Sequence, residues 1–198
     1  MEPTFLAEPP RTSAYDDDLE SEGYVYNLTR LWSWRPDVMT SFKDLRAELL
    51  ADSSLTAREV AVMVTATAAA RGDSYCALAW GTKLAGLADE PTAAKVIQGQ
   101  DTSALSALSV REAALAAWSR QVVGDPNATA KSDVDGLREA GFSDREIFEA
   151  TTWIALRLAF STVNDALGAR PDRELAVKVP DSVREAVNFG RAAGGERD

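Results

Sequence analysis

The sequence predicts an all-α protein, because helix-start signals recur along the chain while strand signals are nearly absent. Each signal is a Ser or Thr followed three residues later by a Glu. In such a capping box the hydroxyl oxygen accepts from a first-turn amide, and the glutamate accepts from the amide of the capping residue. The boxes pair Thr56 with Glu59, Ser109 with Glu112, Ser143 with Glu146 and Ser182 with Glu185.

Three of these boxes share one wider pattern, [LF]-[ST]-x-R-E, in which an apolar residue precedes the cap. Leu55, Leu108 and Phe142 occupy that position, where they can act as hydrophobic staples. The recurrence is a repeated way of starting a helix, and it gives only weak support for a duplicated unit.

The remaining apolar spacing places the helix bodies. We expect helices over 36–50, 56–71, 74–87, 92–98, 109–123, 131–140, 143–166 and 182–192. In the second of these, apolar side chains follow the i, i+3, i+4, i+7 spacing from Val60 to Ala68, and further alanines broaden that face. We therefore expect the helix over 56–71 to lie at the centre of the bundle.

A chain of 198 residues with 45% hydrophobic residues can bury the core of a single globular domain. We divide it into an acidic, proline-rich N-terminal arm (1–22), a helical domain (23–175) and a C-terminal helix with its tail (176–198). The arm is expected to be extended or partly ordered, because it has little apolar surface to bury.

Composition excludes several classes of partner. The formal net charge of -10 opposes binding to nucleic acid, which relies on Lys and Arg to neutralise phosphates. No apolar run approaches the length of a membrane span, so we expect no membrane insertion. A single cysteine and the lack of a secretory signal pattern make the cytoplasm the expected location.

The chain contains no histidine. Imidazole-bound metals and histidine-dependent triads are therefore excluded, and we expect neither a metal nor a cofactor. Any general base must be a carboxylate, a shifted lysine, a tyrosinate or the thiolate of Cys76.

Cys76 is the candidate nucleophile. It lies near the start of the helix over 74–87, where free amides and the helix dipole favour a thiolate. Asp73 opposes this, because a nearby carboxylate disfavours a second negative charge. The alternative is structural: Asp73 or Ser74 caps the helix, and Cys76 is a small buried apolar residue.

Three neighbours are candidates for a supporting pocket. Trp80 is either a pocket wall or a core residue, Tyr75 could donate a hydrogen bond to a substrate, and Lys83 follows two turns after Cys76. Glu59 is fully explained as part of a capping box. Arg157 lies in an apolar run and must find a counter-charge, for which an interface salt bridge is our first interpretation.

The segment 72–81, followed by 108–113, 124–126 and 134–147, resembles the peroxidase-related, alkylhydroperoxidase D-like branch of the carboxymuconolactone decarboxylase superfamily. The resemblance extends over about 24–172. Redox members of that family carry C-x-x-C-x-x-x-H with a glutamate twelve residues earlier. Cys76 matches the second cysteine, whereas Asp73, Trp80 and Ala61 occupy the positions of the first cysteine, the histidine and the glutamate. An Asn-Arg pair usual in the branch is replaced by Ser161 and Thr162.

The resemblance implies an alkylhydroperoxidase D-like helical bundle that assembles into a homo-oligomer, either a dimer or a higher cyclic assembly. It leaves two functions open: a one-cysteine peroxidase using Cys76, or a non-redox ligand-binding or otherwise catalytically degenerate protein with a small-molecule ligand. Lactone decarboxylases of the superfamily use a histidine where this chain has Trp80. The substrate, the reductant and the pathway are not defined by the sequence.

Overall fold

The computed structural model describes residues 3–99 and 107–194. Within these ranges the chain forms α-helices and one short 3-10 helix, and the described residues include no strand. The helices are α1 (Ser13–Glu22), α2 (Asn27–Trp32), α3 (Pro36–Ala51), α4 (Ala57–Arg71), α5 (Ser74–Leu87), α6 (Glu90–Ile97), α7 (Val110–Gly124), α8 (Lys131–Glu139), α9 (Asp144–Ala166), α10 (Arg173–Lys178) and α11 (Asp181–Ala186).

Three capping boxes start helices where the sequence places them. Thr56, Ser109 and Ser143 cap α4, α7 and α9, and each box has both of its hydrogen bonds. The staple residues Leu55, Leu108 and Phe142 are buried in the core. Local sequence therefore sets the starts of three central helices before tertiary packing acts.

The prediction of a fourth capping box, at Ser182, is wrong. Helix α11 begins at Asp181 behind Pro180, and Ser182 donates instead to Glu90 at 3.2 Å. The helix also ends at Ala186, earlier than the predicted 192. Beyond it the chain turns back over α5, where the hydroxyl of Ser74 donates to the carbonyl of Arg191 at 2.7 Å.

The N-terminal segment is more ordered than its composition suggests. Residues 13–22 form α1, and the ring of Tyr15 is buried. The amide of Phe5 donates to the carbonyl of Leu167 at 2.9 Å, which joins the first residues to the end of α9. Helices α2 and α10 are not among the helices placed from apolar spacing, because each has only six residues and too few positions to show a helical period.

Helix α4 is the central helix, as predicted. Every residue from Glu59 to Ala68 is buried. Val60, Met63 and Val64 contribute to one core cluster with residues of α7 and α9, whereas Ala61, Val62 and Ala66 contribute to a second with α5, α6 and α11. The alanines let α4 pack closely on neighbours on two sides.

Arginines join the capping boxes to one another. Arg111 of α7 forms ion pairs with Glu59 of α4 at 2.6 Å and with Glu146 of α9 at 2.8 Å. Arg58 of α4 pairs with Glu112 of α7 at 2.7 Å. The glutamates that cap the three helices thus also hold the N-termini of those helices together.

The tryptophans divide between core and surface. Trp118 and Trp153 are buried, Trp32 is half-buried and Trp34 is exposed.

Among the described helices, none is both long and apolar enough to cross a membrane.

Two glycines of α5 test the packing of this bundle. A Cβ on Gly81 would lie 2.8 Å from Val183 and 2.9 Å from Ile97, whereas a Cβ on Gly86 meets nothing within 4 Å. We expect Gly81→Ala to lower the free energy of unfolding by about 1–3 kcal/mol through overpacking. Gly86→Ala should raise it by about 0.5–1 kcal/mol through helix propensity. Urea denaturation measures both, and equal effects would contradict the packing of α11 on α5.

The capping network should also make stability depend on pH. Burial alone would raise the pKa of Glu146, but bonds from the Ser143 amide and from the Arg111, Ser54 and Ser143 side chains lower it to about 2. A depressed carboxyl pKa stabilises the fold above its unfolded value near 4.5, and that contribution is lost as the pH falls towards 2.

We therefore expect Glu146→Gln to lower the melting temperature at pH 7 and to have a much smaller effect at pH 2.5. Glu139→Gln is the control, because Glu139 is exposed and has no partner among the described residues. Thermal melts over this pH range measure the difference. A deficit of the Glu146 variant that is independent of pH would show that its cause is not the charge.

Candidate functional site

The turn between α4 and α5 fixes the backbone around Cys76. Gly72 ends α4 in the left-handed region at φ 77°, which glycine adopts without steric cost. The amide of Asp73 then donates to the carbonyl of Ala68 at 2.9 Å, so the chain reverses within two residues. Helix α5 begins at once with Ser74.

Asp73 caps α5 and is completely buried. One carboxylate oxygen accepts from the amide of Cys76 at 2.9 Å, and the other accepts from the hydroxyl of Ser161 on α9. Asp73 is therefore the N-cap of α5, as the structural interpretation of the sequence predicted. The same side chain also joins the first turn of α5 to α9.

Cys76 is buried in the interior of the monomer, with 3% of its surface exposed. Its sulfur accepts a hydrogen bond from Nη2 of Arg157 at 2.6 Å. Burial raises the pKa of the thiol to about 12; the Arg157 charge opposes this shift and the Asp73 charge adds to it. At neutral pH the group is therefore a thiol, and Arg157 faces a neutral sulfur.

Arg157 has no carboxylate partner in the described part of the chain. It is 4% exposed and contacts the thiol and two aromatic rings: its Cζ lies 5.0 Å from the centroid of Phe160 and 5.9 Å from that of Trp80. The expected interface salt bridge is therefore wrong, because the guanidinium points into its own monomer. A buried charge without a counter-charge is costly and requires an explanation.

A second arginine reaches the same place from α3. The Cζ of Arg46 lies 5.5 Å from the ring centroid of Phe160, 5.4 Å from that of Phe42 and 6.0 Å from that of Trp153. Burial, and then the charge of Arg157, lower the pKa of Arg46. The two guanidiniums therefore lie over one phenyl ring and repel each other.

Three buried N–H groups in this region lack a hydrogen-bond partner in the described structure. They are Nε of Arg46, Nε1 of Trp153 and Nδ2 of Asn164. The indole of Trp32, in contrast, donates to the side-chain oxygen of Asn164 at 2.8 Å and stacks on Phe160 at 5.2 Å. We name the set of Cys76, Arg46 and Arg157 with the rings of Trp32, Phe42, Trp80, Trp153 and Phe160 the arginine–aromatic site.

Sequence reasoning missed Arg46 and the role of Arg157. Arg46 occupies an inward position of α3, between Phe42 and Leu49, on a stripe that is otherwise apolar. A charged residue on an apolar stripe is the signal that could have identified it. Its meeting with Arg157 depends on how α3 packs on α9, which no local pattern specifies.

The other predicted site residues, Trp80, Lys83 and Tyr75, lie in different positions relative to Cys76. Trp80 borders the site and contacts all three core clusters. Lys83 is exposed, and its ammonium nitrogen lies 4.5 Å from the ring centroid of Trp80. Tyr75 points away from the thiol and donates its hydroxyl to Asp172, which also accepts from the amide of Asn27 at 2.8 Å.

Tyr75 and Asp172 form a structural pair at the start of α2. Burial and the Asp172 charge raise the pKa of Tyr75, while burial raises the pKa of Asp172 to about 6. Glu59 forms its capping box and its ion pair with Arg111, as the structural interpretation requires. The structure thus brings Cys76 together with Asp73 and near Trp80, but not with the hydroxyl of Tyr75.

The C-terminal segment, residues 187–194, covers the first turns of α5. Val187 and Phe189 pack against the cluster that contains Cys76, and Gly190 lies against Ser74 and the carbonyl of Gly72. A cavity of about 280 Å³ lies between this segment and α5, lined by Ser74, Leu78 and Arg191 among others.

Within the described ranges, no group of three or more Cys, Asp or Glu side chains is arranged to hold a metal ion.

Comparison with known proteins identifies the fold. No protein-family model matches the chain, and no curated protein matches its sequence. Among solved structures, an uncharacterized peroxidase-related protein from Silicibacter sp. TM1040 has a TM-score of 0.76 at 19% identity, over 88% of this chain and 95% of that one.

A second solved structure gives the same result. An uncharacterized peroxidase-related protein from Ralstonia eutropha JMP134, described as an alkylhydroperoxidase AhpD core, has a TM-score of 0.72 at 23% identity. The match covers 91% of this chain and 100% of that one. The predicted all-α, alkylhydroperoxidase D-like fold is therefore confirmed: this chain folds as the alkylhydroperoxidase core does.

Proposed function

We propose that this chain is a redox-inactive member of the alkylhydroperoxidase D-like group that binds a small organic molecule at the arginine–aromatic site. One observation carries the proposal: Arg157 is buried against the sulfur of Cys76 and has no carboxylate partner among the described residues. A charge kept in the core without a partner destabilises the fold, so its retention suggests a binding role.

The environment of Cys76 supports the absence of peroxide chemistry. A peroxidatic cysteine must be accessible and ionised, since the thiolate is the nucleophile. Cys76 is instead buried, and its pKa is raised to about 12. The chain also has no second cysteine to resolve a sulfenic acid and no histidine to relay a proton.

The 2.6 Å contact between Arg157 and the sulfur favours a second candidate, a one-cysteine peroxidase. If the segment covering α5 opened, the guanidinium could stabilise a thiolate. The thiolate would attack the distal oxygen of a hydroperoxide, and the departing alkoxide would take a proton to give the alcohol and a sulfenic acid. A thiol from another molecule would then condense with the sulfenic acid to a mixed disulfide and water, and a second such thiol would displace the Cys76 thiol and leave as the external disulfide.

Self-association and a cytoplasmic location stay predictions. Trp34, Phe148 and Val163 are large apolar side chains that the monomer leaves exposed. Exposed apolar surface of this kind is what an oligomer interface covers, and it supports the expected homo-oligomer.

Oxidation of the single thiol separates the two candidates. We expect cumene hydroperoxide to oxidise Cys76 in the folded protein more slowly than in the same protein unfolded in urea, because burial raises the pKa of the folded thiol. Between pH 7 and pH 10 the folded rate should keep rising about tenfold per pH unit, because the thiolate fraction grows in this way below a pKa of about 12, whereas the unfolded rate should level off above the ordinary thiol pKa of 9.0. Intact mass spectrometry measures both, with Cys76→Ser as the control.

Faster oxidation of the folded thiol at pH 7 would favour the peroxidase. In that case the next measurement is its turnover with an added low-molecular-weight thiol.

Arg157 provides a stability test of the binding role. Replacing an unpaired buried guanidinium by methionine removes a desolvation penalty, so Arg157→Met should raise the free energy of unfolding by about 1 kcal/mol or more. Arg173→Met is the control, because Arg173 is exposed and should change little. A loss of about 2 kcal/mol in urea titrations of Arg157→Met would mean instead that the arginine is a structural donor.

A further inference from the structure

The arginine–aromatic site contains hydrogen-bond donors in excess of acceptors. Arg157 makes one hydrogen bond, to the sulfur of Cys76, and the Nε of Arg46 and the Nε1 of Trp153 make none within the described structure. Buried polar groups almost always have a partner, so a cluster of unpaired donors in a core indicates a missing acceptor.

The charges of the site also indicate a missing acceptor. Arg46 and Arg157 are its cations, and their Cζ atoms lie 5.5 and 5.0 Å from the ring centroid of Phe160. Asp73 is the nearby carboxylate, but its oxygens accept from the Cys76 amide and the Ser161 hydroxyl, and no ion pair with either arginine is formed. The site therefore carries positive charge that the described residues do not neutralise.

The walls define the rest of the ligand. Trp32 stacks on Phe160 at 5.2 Å, and Phe42 lies 5.9 Å from Phe160, so flat rings surround the guanidiniums. Such rings favour an apolar or aromatic body, and the planar fork of an arginine matches a carboxylate better than it matches a spherical ion.

We infer that the site binds a small organic carboxylate, held between Arg46 and Arg157 with its apolar body among the rings. This inference rests on the proposed binding function and names its ligand class. The carboxylate oxygens would accept from the donors that now lack partners, and the negative charge would relieve the repulsion between the two guanidiniums. Helix α3, which contributes Arg46, contains no fully buried residue and so is the element whose movement can admit the ligand.

The probes are benzoate and hexanoate, each compared with its neutral amide, benzamide or hexanamide. Isothermal titration calorimetry measures affinity, and tryptophan fluorescence reports on the rings of the site. We expect both carboxylates to bind at least about tenfold more tightly than their amides, because charge-assisted bonds to arginine are the stronger ones. Arg46→Met and Arg157→Met should each weaken benzoate about tenfold or more, while Arg157→Lys keeps part of the affinity.

The control variant is Arg173→Met, which removes an exposed positive charge and should leave the affinity for benzoate unchanged. Circular dichroism melts establish that each variant is folded before titration.

Several results would overturn the inference. Equal affinity for benzoate and benzamide would reject a carboxylate ligand, although the proposed binding function would stand. Binding of inorganic phosphate without binding of benzoate would have the same consequence. Benzoate affinity unchanged in both arginine variants would place the ligand elsewhere. No saturation by either carboxylate up to about 10 mM would also reject it, because even modest contacts in such a site give millimolar affinity. Rapid oxidation of folded Cys76 is a separate outcome, and it overturns the proposed function itself.

Discussion

The buried carboxylate of Asp73 is the interaction on which the site depends. It caps α5 through the amide of Cys76 and accepts from Ser161 of α9, so the position of the thiol is tied to the helix that carries Arg157. Asp73 thus provides both a helix cap and a link between two helices, and a carboxylate suits both tasks because it has two oxygens that can accept hydrogen bonds.

The fold was predictable because its strongest determinants are local. The capping boxes at Thr56, Ser109 and Ser143 satisfy amides within one turn of the chain, and they start α4, α7 and α9 where the pattern places them. The box at Ser182 failed because Pro180 starts α11 first and the chain beyond Ala186 is drawn back over α5. Tertiary contacts there override a weak local signal.

The site was only partly predictable, because its chemistry comes from side chains far apart in sequence. Cys76, Asp73 and Trp80 could be found from one short segment, and the burial of Cys76 was one of two interpretations left open. Arg46 could not be paired with Arg157, since that contact requires the crossing of α3 over α9. The hydroxyl of Tyr75 is likewise engaged by Asp172, 97 residues away, and so turns from the thiol.

A bundle with this much apolar surface has no structural need for Arg157. Methionine or leucine would fill the space beside Cys76 and Phe160 without a desolvation penalty, and the capping network already joins the central helices. A second arginine approaching the same ring adds repulsion, which lowers the pKa of Arg46 further. Two unfavourable features that coincide beside one aromatic cluster are better explained by a shared ligand than by two separate accidents of packing.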